Sequence, residues 1–368
     1  MEKYDCIIVG LGCSGLMSLE RISRNKKVLG IDKNGVNNKQ GSSHGESRIY
    51  RLSYYEGTEY LPMLEESVNI WKKIEEKTGE ELLKKDEIIF MTDGSNEEKH
   101  ELCKKSCEEA DIKYEILKGD DINNRYNHLS VNKNVKAITH EKAGTLKSGK
   151  ALRTVEKMCS KRPETDIIQG EISEYNIKEN QVKVSCDGKE YKANKIVFAT
   201  GPWSKKQFHI LDFLDIENHT YCLYKDKDKS ITPFISYIKD SHFYGLPSLE
   251  KHNIKIGELG EDEKVEDMEE FKRKGPSKDR VERNKNFVKN KFKIDYNELD
   301  AMVCPITRTP DDDYIIDYHP KNDNIILCTG MSGHGFKTSS QNGKIVCDLV
   351  NDKYNKYSSG MFSIDRFL

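Results

Sequence analysis

The chain has 368 residues, enough to bury a sizeable core and to form one large domain or two intergrown domains. Hydrophobic residues make up 36% of it and charged residues 33%, a composition typical of a soluble globular protein. The 60 basic and 62 acidic residues leave a net charge of −2, so charge gives no argument for nucleic acid or an anionic membrane as a partner, and no apolar run approaches the roughly 18–20 residues that cross a bilayer.

The two ends of the chain and its cysteines predict a cytoplasmic protein with free thiols. The N-terminus, MEKYDCIIVGLGCSG, enters a strand pattern without the basic and apolar regions of a signal peptide, and the C-terminus, DRFL, is not the peroxisomal signal SKL. The ten cysteines contain no CxxC pair. Cys103 and Cys107 lie four apart on a predicted helix, but no His or Cys partner motif follows, so we expect no metal site.

A dinucleotide-binding pattern opens the chain. The run DCIIV predicts a strand, a helix follows, and a second strand, KVLGID, ends at Asp32. Between them, Gly10, Gly12 and Gly15 form GxGxxG, a turn in which the backbone approaches a pyrophosphate and a helix N-terminus favours its charge. Asp32, 22 residues beyond Gly10, is positioned for a ribose hydroxyl. This order predicts an adenine dinucleotide site; the alternative is a glycine-rich turn in an α/β domain without a ligand.

The middle of the chain mixes helices and strands, and the pattern of predicted elements changes near residue 218. Up to that point the predicted elements are a polar loop at 37–48, helices at 59–78, 97–110 and 147–162, and strands at 87–93, 165–175, 181–186, 189–193 and 195–201. From about 218 to 310 we predict antiparallel strands interrupted by one charged helix at about 279–293. The basic stretch 271–293 contains interleaved acidic residues, so it indicates a solvated helix face and not a nucleic-acid site.

The last part of the chain returns to the earlier pattern. A strand at 324–330 leads into the glycines of MSGHG, and a helix follows at 336–350. These glycines allow the backbone to approach a ring, and the helix N-terminus stabilises the negative charge of a reduced flavin, which a nicotinamide lacks. A second strand-to-turn passage, IVFATG, ends at Gly201. Both features favour FAD over NAD, and a nucleotide fold that is left and re-entered predicts two discontinuous domains.

With these stretches in view, the chain resembles the monomeric sarcosine oxidase family of FAD enzymes, which includes N-methyltryptophan oxidase, L-pipecolate oxidase and the fructosyl amino acid oxidases. The resemblance covers nearly the whole chain and rests on DCIIVGLGCSG, GSSHGESRIYRLSY, FYGLPS followed by KIG, VCPITRTPDDDYIIDYHP and GMSGHGFKTSS. It implies an α/β (α+β) fold, in which a Rossmann-like doubly wound FAD-binding domain is joined to a second, antiparallel-sheet substrate domain. The expected FAD-binding domain comprises 1–82, 145–215 and 315–368, and the expected substrate domain comprises 83–144 and 216–314.

The resemblance also implies a reaction. A secondary or cyclic amino acid, of the sarcosine, N-methyl amino acid or L-pipecolate type, is oxidised to an imine, and O2 is reduced to H2O2. The enzyme is expected to be a monomer whose partners are this small substrate and oxygen, with no nucleic acid or membrane. The family usually attaches its flavin through a cysteine, and Cys304 stands at that position. From the residues alone, Cys304 is equally a buried core thiol.

Several residues receive candidate roles from the resemblance. Arg51 and Lys337 are expected on the substrate carboxylate, and a guanidinium fork does match two carboxylate oxygens. Arg48 and His44 are expected at the ring face of the flavin. Lys255 alternates with two apolar neighbours on a predicted strand, and the resemblance places it at the flavin edge, where it activates oxygen. Tyr244 is expected to line the substrate pocket. The remaining candidates for cofactor binding are Gly10, Gly12, Cys13, Ser14, Gly15, Asp32, Lys33, Ser42, Ser43, Gly201, Trp203, Met331, Gly333, His334, Gly335 and Phe336.

Two positions depart from the family pattern. Leu259 stands where several members have histidine, and Ile306 stands where they have an aromatic residue. Both changes leave flavin binding intact but weaken sarcosine as the substrate, and a more apolar pocket suits a ring or a bulkier N-alkyl group. Three alternatives stay open: a fructosyl amino acid oxidase, a dehydrogenase that passes electrons to a partner, and a non-catalytic dinucleotide-binding protein.

Overall fold

The computed structural model describes residues 2–178, 181–225, 231–239, 241–248, 253–260, 262–292 and 297–368. The strands within this part of the chain are β1 (Glu2–Val9), β2 (Val28–Asp32), β3 (Arg48–Arg51), β4 (Leu83–Thr92), β5 (Glu115–Lys118), β6 (Lys136–Leu146), β7 (Thr165–Gln169), β8 (Ile172–Lys178), β9 (Gln181–Cys186), β10 (Lys189–Phe198), β11 (Asp215–Lys225), β12 (Phe234–Ile238), β13 (Ser241–Ser248), β14 (Asn253–Glu258), β15 (Glu263–Val265), β16 (Asn297–Arg308), β17 (Ile315–His319) and β18 (Asn322–Thr329). The α-helices are α1 (Cys13–Ile22), α2 (Leu61–Thr78), α3 (Glu97–Glu109), α4 (Gly119–Arg125), α5 (Ser148–Cys159), α6 (Ser204–Gln207), α7 (Met268–Lys274), α8 (Lys278–Lys291) and α9 (Gly335–Val350).

The first sheet carries the nucleotide-binding pattern. Its strand order is β17-β18-β10-β1-β2-β7, with β9 and β8 attached to β10. Strands β18, β10, β1, β2 and β7 run parallel, so their carboxyl ends meet at one edge. The second half of β1, residues 6–9, is continuously apolar because both of its faces are covered: Cys6 and Ile8 pack into one buried cluster, and Ile7 and Val9 into another.

Helices α1 and α9, from opposite ends of the chain, pack against each other beside this sheet. The contact is close at Gly343, where an added methyl group would lie 2.5 Å from the backbone of Met17. The Asn342 side-chain amide also donates a hydrogen bond to Ser14 across the same contact, at 3.4 Å. The first sheet is therefore assembled from the beginning, middle and end of the sequence.

The second sheet has the order β15-β11-β14-β13-β12-β4-β6-β3, with β16 paired to β11 and β5 paired to β6. Strand alternation gives it two different faces. On β14, Ile254 and Ile256 pack into a cluster that includes Phe287 and Val288 of α8. Lys255, between those two isoleucines, is directed to the opposite face. That opposite face borders the cavity described below.

The two-sheet α/β architecture confirms the predicted fold class. The domain limits remain a prediction: β3 lies within the range 1–82 expected for the FAD-binding domain, yet it pairs with β6 of the second sheet. No helix in the described part of the chain combines the length and the apolar character needed to span a bilayer. Cys103 and Cys107 are free thiols buried in the core.

Some predicted elements were wrong in detail. The charged helix predicted at about 279–293 is confirmed as α8; residue 293 lies outside the described residues. The stretch 271–293, interpreted as one solvated helix face, is interrupted, because Gly275, with φ 64°, ends α7 and the Ser277 hydroxyl caps α8. The run predicted as a strand at 165–175 is divided into β7 and β8 at Gly170, and the two strands predicted between 189 and 201 are one, β10. The elements that had not been predicted are strands β3, β5, β6, β12, β15 and β17 and helices α4, α6 and α7.

Candidate active site

A cavity of about 1100 Å³ lies between the carboxyl edge of the first sheet and one face of the second. The first sheet contributes the turns that follow β1, β2, β10 and β18. The second sheet contributes alternate residues of β11 and β13, Lys255 and Glu258 of β14, and the consecutive residues 304–308 of β16. Every candidate residue named from the sequence lines this cavity except Gly15 and His44.

The turn after β1 leaves room for a ligand because its glycines lack side chains. Gly10 has φ 91°, and an added methyl group would lie 2.5 Å from the carbonyl oxygen of Ala199. A methyl group on Gly15 would overlap the carbonyl of Gly10, so Gly15 permits α1 to pack against the turn. Asp32 closes the turn from β2 by accepting a hydrogen bond from the Leu11 amide at 2.7 Å. Backbone and acid together form the cradle that a dinucleotide requires.

Other candidates for cofactor binding lie around this cradle. The Ser43 hydroxyl accepts a hydrogen bond from the Cys13 amide at 2.9 Å, at the N-terminus of α1. Lys33 also borders the cavity, but it is exposed and its ammonium forms an ion pair with Glu171 at 2.8 Å. Burial raises the pKa of Asp32, while the amide of Leu11 and other backbone amides oppose that shift.

The glycine-rich turn after β18 brings the N-terminus of α9 to the cavity. Gly333 has φ 82°, and a methyl group on Gly335 would lie 2.5 Å from Cβ of Met331, so the turn is compact only with glycine. The His334 side chain does not extend toward the first glycine turn: its Nδ1 lies 2.7 Å from the Tyr54 hydroxyl, and its Nε2 lies 3.0 Å from the carbonyl of Asp312. Burial lowers the pKa of His334 to about 4, so the ring is neutral and holds the turn in place.

Cys304 lies on β16 and is 9% exposed, with its thiol 3.4 Å from the carbonyl of Ser42. Burial raises the pKa of this thiol, while Arg48 and Lys255 act in the opposite direction. The cysteine is thus inside the cavity wall, beside two cationic side chains.

Lys255 is buried, and its ammonium contacts aromatic rings. Its Nζ lies 4.0 Å from the centre of the Tyr221 ring and 5.7 Å from that of Tyr244. Burial, reinforced by Arg48, lowers the pKa of Lys255 to about 7, while Cys304 opposes the shift. The side chain therefore changes charge near neutral pH.

Arg48 and His44 occupy the loop before β3. The Arg48 guanidinium donates to the carbonyls of Ser42 and His44, at 3.0 and 2.6 Å, and lies 5.4 Å from the centre of the Phe336 ring. His44 is buried with its Nδ1 2.7 Å from the carbonyl of Gly41, and burial lowers its pKa to about 4. Arg48 thus reaches the cavity, whereas the His44 ring supports the loop.

Arg51 and Lys337 converge on a single carboxylate that had not been predicted, that of Glu56. Arg51 is 2% exposed and its guanidinium lies 2.7 Å from Oε2 of Glu56; Nζ of Lys337 lies 3.8 Å from Oε1. Burial alone would raise the pKa of Glu56, but Arg51 and Lys337 outweigh it and lower the pKa to about 2. Burial lowers the pKa of Lys337 to about 8 in spite of Glu56. Two cations therefore hold one anion at the cavity wall.

A second set of residues was also missed. Strand β11 directs Glu217, His219 and Tyr221 to the cavity face at every second position, and this alternation was the available signal. Glu217 forms a bidentate ion pair with Arg308, at 2.8 and 3.0 Å. Nδ1 of His219 lies 2.8 Å from Asp262 and its Nε2 lies 3.0 Å from the Tyr244 hydroxyl.

The two positions that depart from the family pattern, Leu259 and Ile306, both line the cavity. A Cβ at Gly333 would lie 3.5 Å from Cδ1 of Ile306, so Ile306 packs against the turn after β18. Both residues therefore add apolar surface to the cavity lining.

Comparison with known proteins gives concordant results. A family model described as FAD dependent oxidoreductase matches residues 5–349. The sequence is 27% identical over 376 residues to the monomeric sarcosine oxidase of Bacillus sp. strain B-0618, covering 99% of this chain and 96% of the relative. Among solved structures, NikD, an unusual amino acid oxidase essential for nikkomycin biosynthesis, aligns with a TM-score of 0.88 at 17% identity over 98% of this chain and 97% of its own. L-proline dehydrogenase from P. horikoshii aligns with a TM-score of 0.85 at 18% identity over 100% and 98%. At these identities the two structures show likeness of fold alone.

Proposed function

The chain belongs to the family of FAD-dependent oxidoreductases and is an amine oxidoreductase, and on this premise we propose that it oxidises a secondary or cyclic amino acid to the imine, with reduction of O2 to H2O2. The observation that carries the proposal is the convergence of Arg51 and Lys337 on one carboxylate at the cavity wall. Such a pair of cations is suited to the carboxylate of an amino acid.

FAD, when bound, accepts a hydride equivalent from the substrate and passes electrons to the acceptor. The residues that would hold it are Asp32 and the glycine turn for the adenosine and pyrophosphate, and the turn before α9 for the ring system. A methyl group on Gly10 would collide with the Ala199 carbonyl and one on Gly335 with the Met331 side chain, so both turns keep the compact form that fits the group only with glycine. We propose that Cys304 is its covalent attachment point, because the thiol lies in the cavity wall beside Arg48 and Lys255.

Glu56 defines how the substrate carboxylate binds. Because Glu56 is ionised at neutral pH, it balances only one of the two positive charges of Arg51 and Lys337 in the free protein. A substrate carboxylate supplies the second negative charge to these two cations, which together form a clamp, so a ligand without a carboxylate gains nothing from this part of the cavity. The clamp therefore selects amino acids over simple amines.

The apolar part of the cavity lining favours a substrate with more carbon than sarcosine. Leu259 and Ile306 belong to this part, together with Ile235 and Tyr237. Burial of each additional methylene group contributes about 0.8 kcal/mol, so a ring such as that of L-pipecolate or L-proline binds better there than an N-methyl group.

Lys255 distinguishes an oxidase from a dehydrogenase, the second candidate function. A cation beside the flavin stabilises the negative charge that develops on oxygen as it is reduced. The dehydrogenase alternative is favoured by the similarity in fold to L-proline dehydrogenase. Rapid reoxidation of the reduced enzyme in air supports the oxidase, and reoxidation only by an added electron acceptor supports the dehydrogenase.

The proposal is tested by assaying peroxide with sarcosine, N-methyl amino acids, L-proline, L-pipecolate and glycated amino acids. We expect turnover with the cyclic amino acids and none with the corresponding amines that lack the carboxylate. Activity with the decarboxylated amines would contradict the clamp, and activity confined to glycated amino acids would favour a fructosyl amino acid oxidase.

The flavin attachment is tested by acid precipitation. We expect a yellow pellet from the wild-type protein and a yellow supernatant from Cys304→Ser, because the thioether cannot form on serine. Cys328→Ser is the matched control, since Cys328 is also buried and also borders the cavity. A yellow supernatant from the wild type would reject the attachment while leaving FAD binding intact.

A further inference from the structure

The cavity contains a chain of three hydrogen-bonded side chains, Asp262, His219 and Tyr244, that has no role in the proposal above. Asp262 Oδ2 lies 2.8 Å from His219 Nδ1, and His219 Nε2 lies 3.0 Å from the Tyr244 hydroxyl. His219 and Asp262 are each 7% exposed and Tyr244 is half-buried. All three border the cavity. Buried imidazoles that connect a carboxylate to a hydroxyl are an arrangement used for proton transfer.

The distances determine where the protons lie. An ionised carboxylate only accepts hydrogen bonds, so Nδ1 of His219 carries a proton and donates it to Asp262. When this ring is neutral, its Nε2 is an acceptor, and the Tyr244 hydroxyl donates to it. The lone pairs of the Tyr244 oxygen are left to accept a hydrogen bond from a ligand.

The position of this chain is set by neighbouring strands. His219 lies opposite Cys304 in the β11–β16 pairing, and Tyr244 lies opposite Gly257 in the β13–β14 pairing. A methyl group on Gly257 would lie 2.5 Å from the Tyr244 ring, so glycine permits the ring to lie across β14. The ionisable groups around His219 are Asp262, Tyr244, Tyr221, Glu217, Cys304, Lys255 and, through Asp262, Arg280.

A secondary amino acid must lose a proton from its nitrogen before it can be oxidised. Oxidation to an imine requires the nitrogen lone pair, but an aliphatic amine has a pKa near 10 and only about one molecule in a thousand is unprotonated at pH 7. An acceptor in the cavity is needed for the ammonium proton. At another position in the cavity wall, this protein has Leu259 where several family members have histidine, so that position offers no proton acceptor.

We propose that His219, positioned by Asp262, receives the ammonium proton of the substrate through the hydroxyl of Tyr244; this inference rests on the proposed function. The ammonium N–H bond breaks and an O–H bond forms on Tyr244, while the original hydroxyl proton of Tyr244 moves to Nε2. No electrons are exchanged in this step. The resulting imidazolium is stabilised by Asp262, and it returns the proton to water after the product leaves.

The protonation state of His219 is observed directly by nitrogen NMR of ¹⁵N-histidine-labelled holoenzyme. The flavin is first reduced under argon so that the ligand binds without being consumed. L-Pipecolate and sarcosine carry an ammonium proton, whereas glycine betaine carries the same carboxylate with a quaternary nitrogen that has no proton to give. We expect the His219 signals, identified by their loss in His219→Gln, to change from a neutral Nδ1–H ring to imidazolium with L-pipecolate or sarcosine but not with betaine.

The outcomes separate the relay from the function on which it rests. If L-pipecolate or sarcosine perturbs other histidine signals but His219 stays neutral, the relay is rejected and the proposed function stands. If betaine also converts His219 to imidazolium, the proton does not come from the ligand, and the relay is again rejected. If neither L-pipecolate nor sarcosine binds and the peroxide assay is silent, both proposals fail.

Kinetics provide a second test. In anaerobic stopped-flow experiments, we expect His219→Gln to slow flavin reduction at pH 7 about 100-fold or more, and higher pH to restore the rate as the free ammonium loses its proton. Asp262→Asn is also expected to slow flavin reduction. Because His219 acts through Tyr244, adding His219→Gln to Tyr244→Phe is expected to slow flavin reduction little further. His100→Gln, a change at an equally buried histidine outside the cavity, is the control. A uniform loss at all pH values, without recovery, would indicate a structural role and contradict the relay.

Discussion

A lysine whose charged end is buried costs free energy unless its surroundings compensate for the loss of water. Burial and, after it, the charge of Arg48 lower the pKa of Lys255 to about 7, while the Tyr221 ring 4.0 Å away stabilises the charged form. Strand alternation was enough to predict that the Lys255 side chain points away from the face on which its neighbours lie, and Ile254 and Ile256 do pack on the other face. The partners of Arg51 and His219 were not predictable in this way. In the sequence, Glu56 is one glutamate of a loop, and nothing marks it as the partner of Arg51. Asp262 lies 43 residues from His219, so no local pattern connects these two residues.

The charge of Lys255 predicts a pH-dependent reaction with oxygen. Lys255→Met is expected to slow reoxidation of the reduced flavin about 100-fold or more while reduction by the substrate changes little. In the wild type the ammonium is present below about pH 7, so the reoxidation rate falls as pH rises through that value. Stopped-flow mixing of reduced enzyme with oxygen measures both effects. An equal slowing of reduction and reoxidation would count against the role of Lys255 in oxygen activation.

Glu56 predicts a pH-dependent contribution to stability. Its pKa is lower in the folded protein, about 2 against an ordinary 4.5, so its stabilising contribution is present above about pH 4.5 and is lost as pH falls toward 2. Urea unfolding is expected to find Glu56→Gln less stable than the wild type at pH 7, with a gap that narrows below pH 4.5. Glu59→Gln, a change at an exposed neighbour, is the control. A gap that does not depend on pH would contradict this account.

At the scale of elements, turns determine both what was predictable and what was not. The turn after β1 was predicted because glycines at fixed spacing between a strand and a helix have a steric cause that is local in sequence. The interruption of the charged stretch 271–293 was missed because the charge pattern is continuous across it. The caps from Asp267 and Ser277 and the positive φ of Gly275 decide where α7 ends and where α7 and α8 begin. On β14, where apolar residues alternate, the core face was predicted correctly.

The glycine turn makes a prediction about cofactor content. Gly10→Ala is expected to reduce the FAD bound per protein, because the methyl group would lie 2.5 Å from the Ala199 carbonyl and the turn would have to open. Gly188→Ala is the matched control: Gly188 also has a positive φ, 76°, but a methyl group there meets nothing within 4 Å. Both variants bear a similar backbone strain of about 1 kcal/mol. The absorbance ratio of flavin to protein measures the difference, and equal flavin loss in both would reject the steric explanation.

At the scale of the whole molecule, the cavity joins the two sheets. The first sheet supplies the turns and the second supplies Lys255, Cys304 and the His219 relay, so neither sheet forms the site alone. This division was anticipated from the change in the pattern of predicted elements near residue 218. The pairing of β3 with the second sheet was not, because a four-residue strand within a polar loop has too short a pattern to assign.

Loss of the cofactor is expected to lower the stability of the whole protein. A ligand that binds only the folded state stabilises it by mass action, about 2.7 kcal/mol at one hundred times its dissociation constant. Cys304→Ser allows FAD to be removed and restored. We expect its Tm to rise by several degrees when FAD is added back and not when NAD is added. An unchanged Tm would indicate that FAD does not bind between the sheets.

The assembly of the first sheet from distant segments has a consequence for biosynthesis. Strands β1 and β2 leave the ribosome first, but their neighbours β10 and β18 and the helix α9 that packs on α1 are made near the middle and end of translation. The nascent chain therefore exposes one edge of β1 until β10 has emerged, and then one edge of β10 until β18 has emerged. Capture of the flavin accordingly follows synthesis of the turn before α9, and until then an unpaired strand edge of this sheet is a site at which the incomplete chain can aggregate.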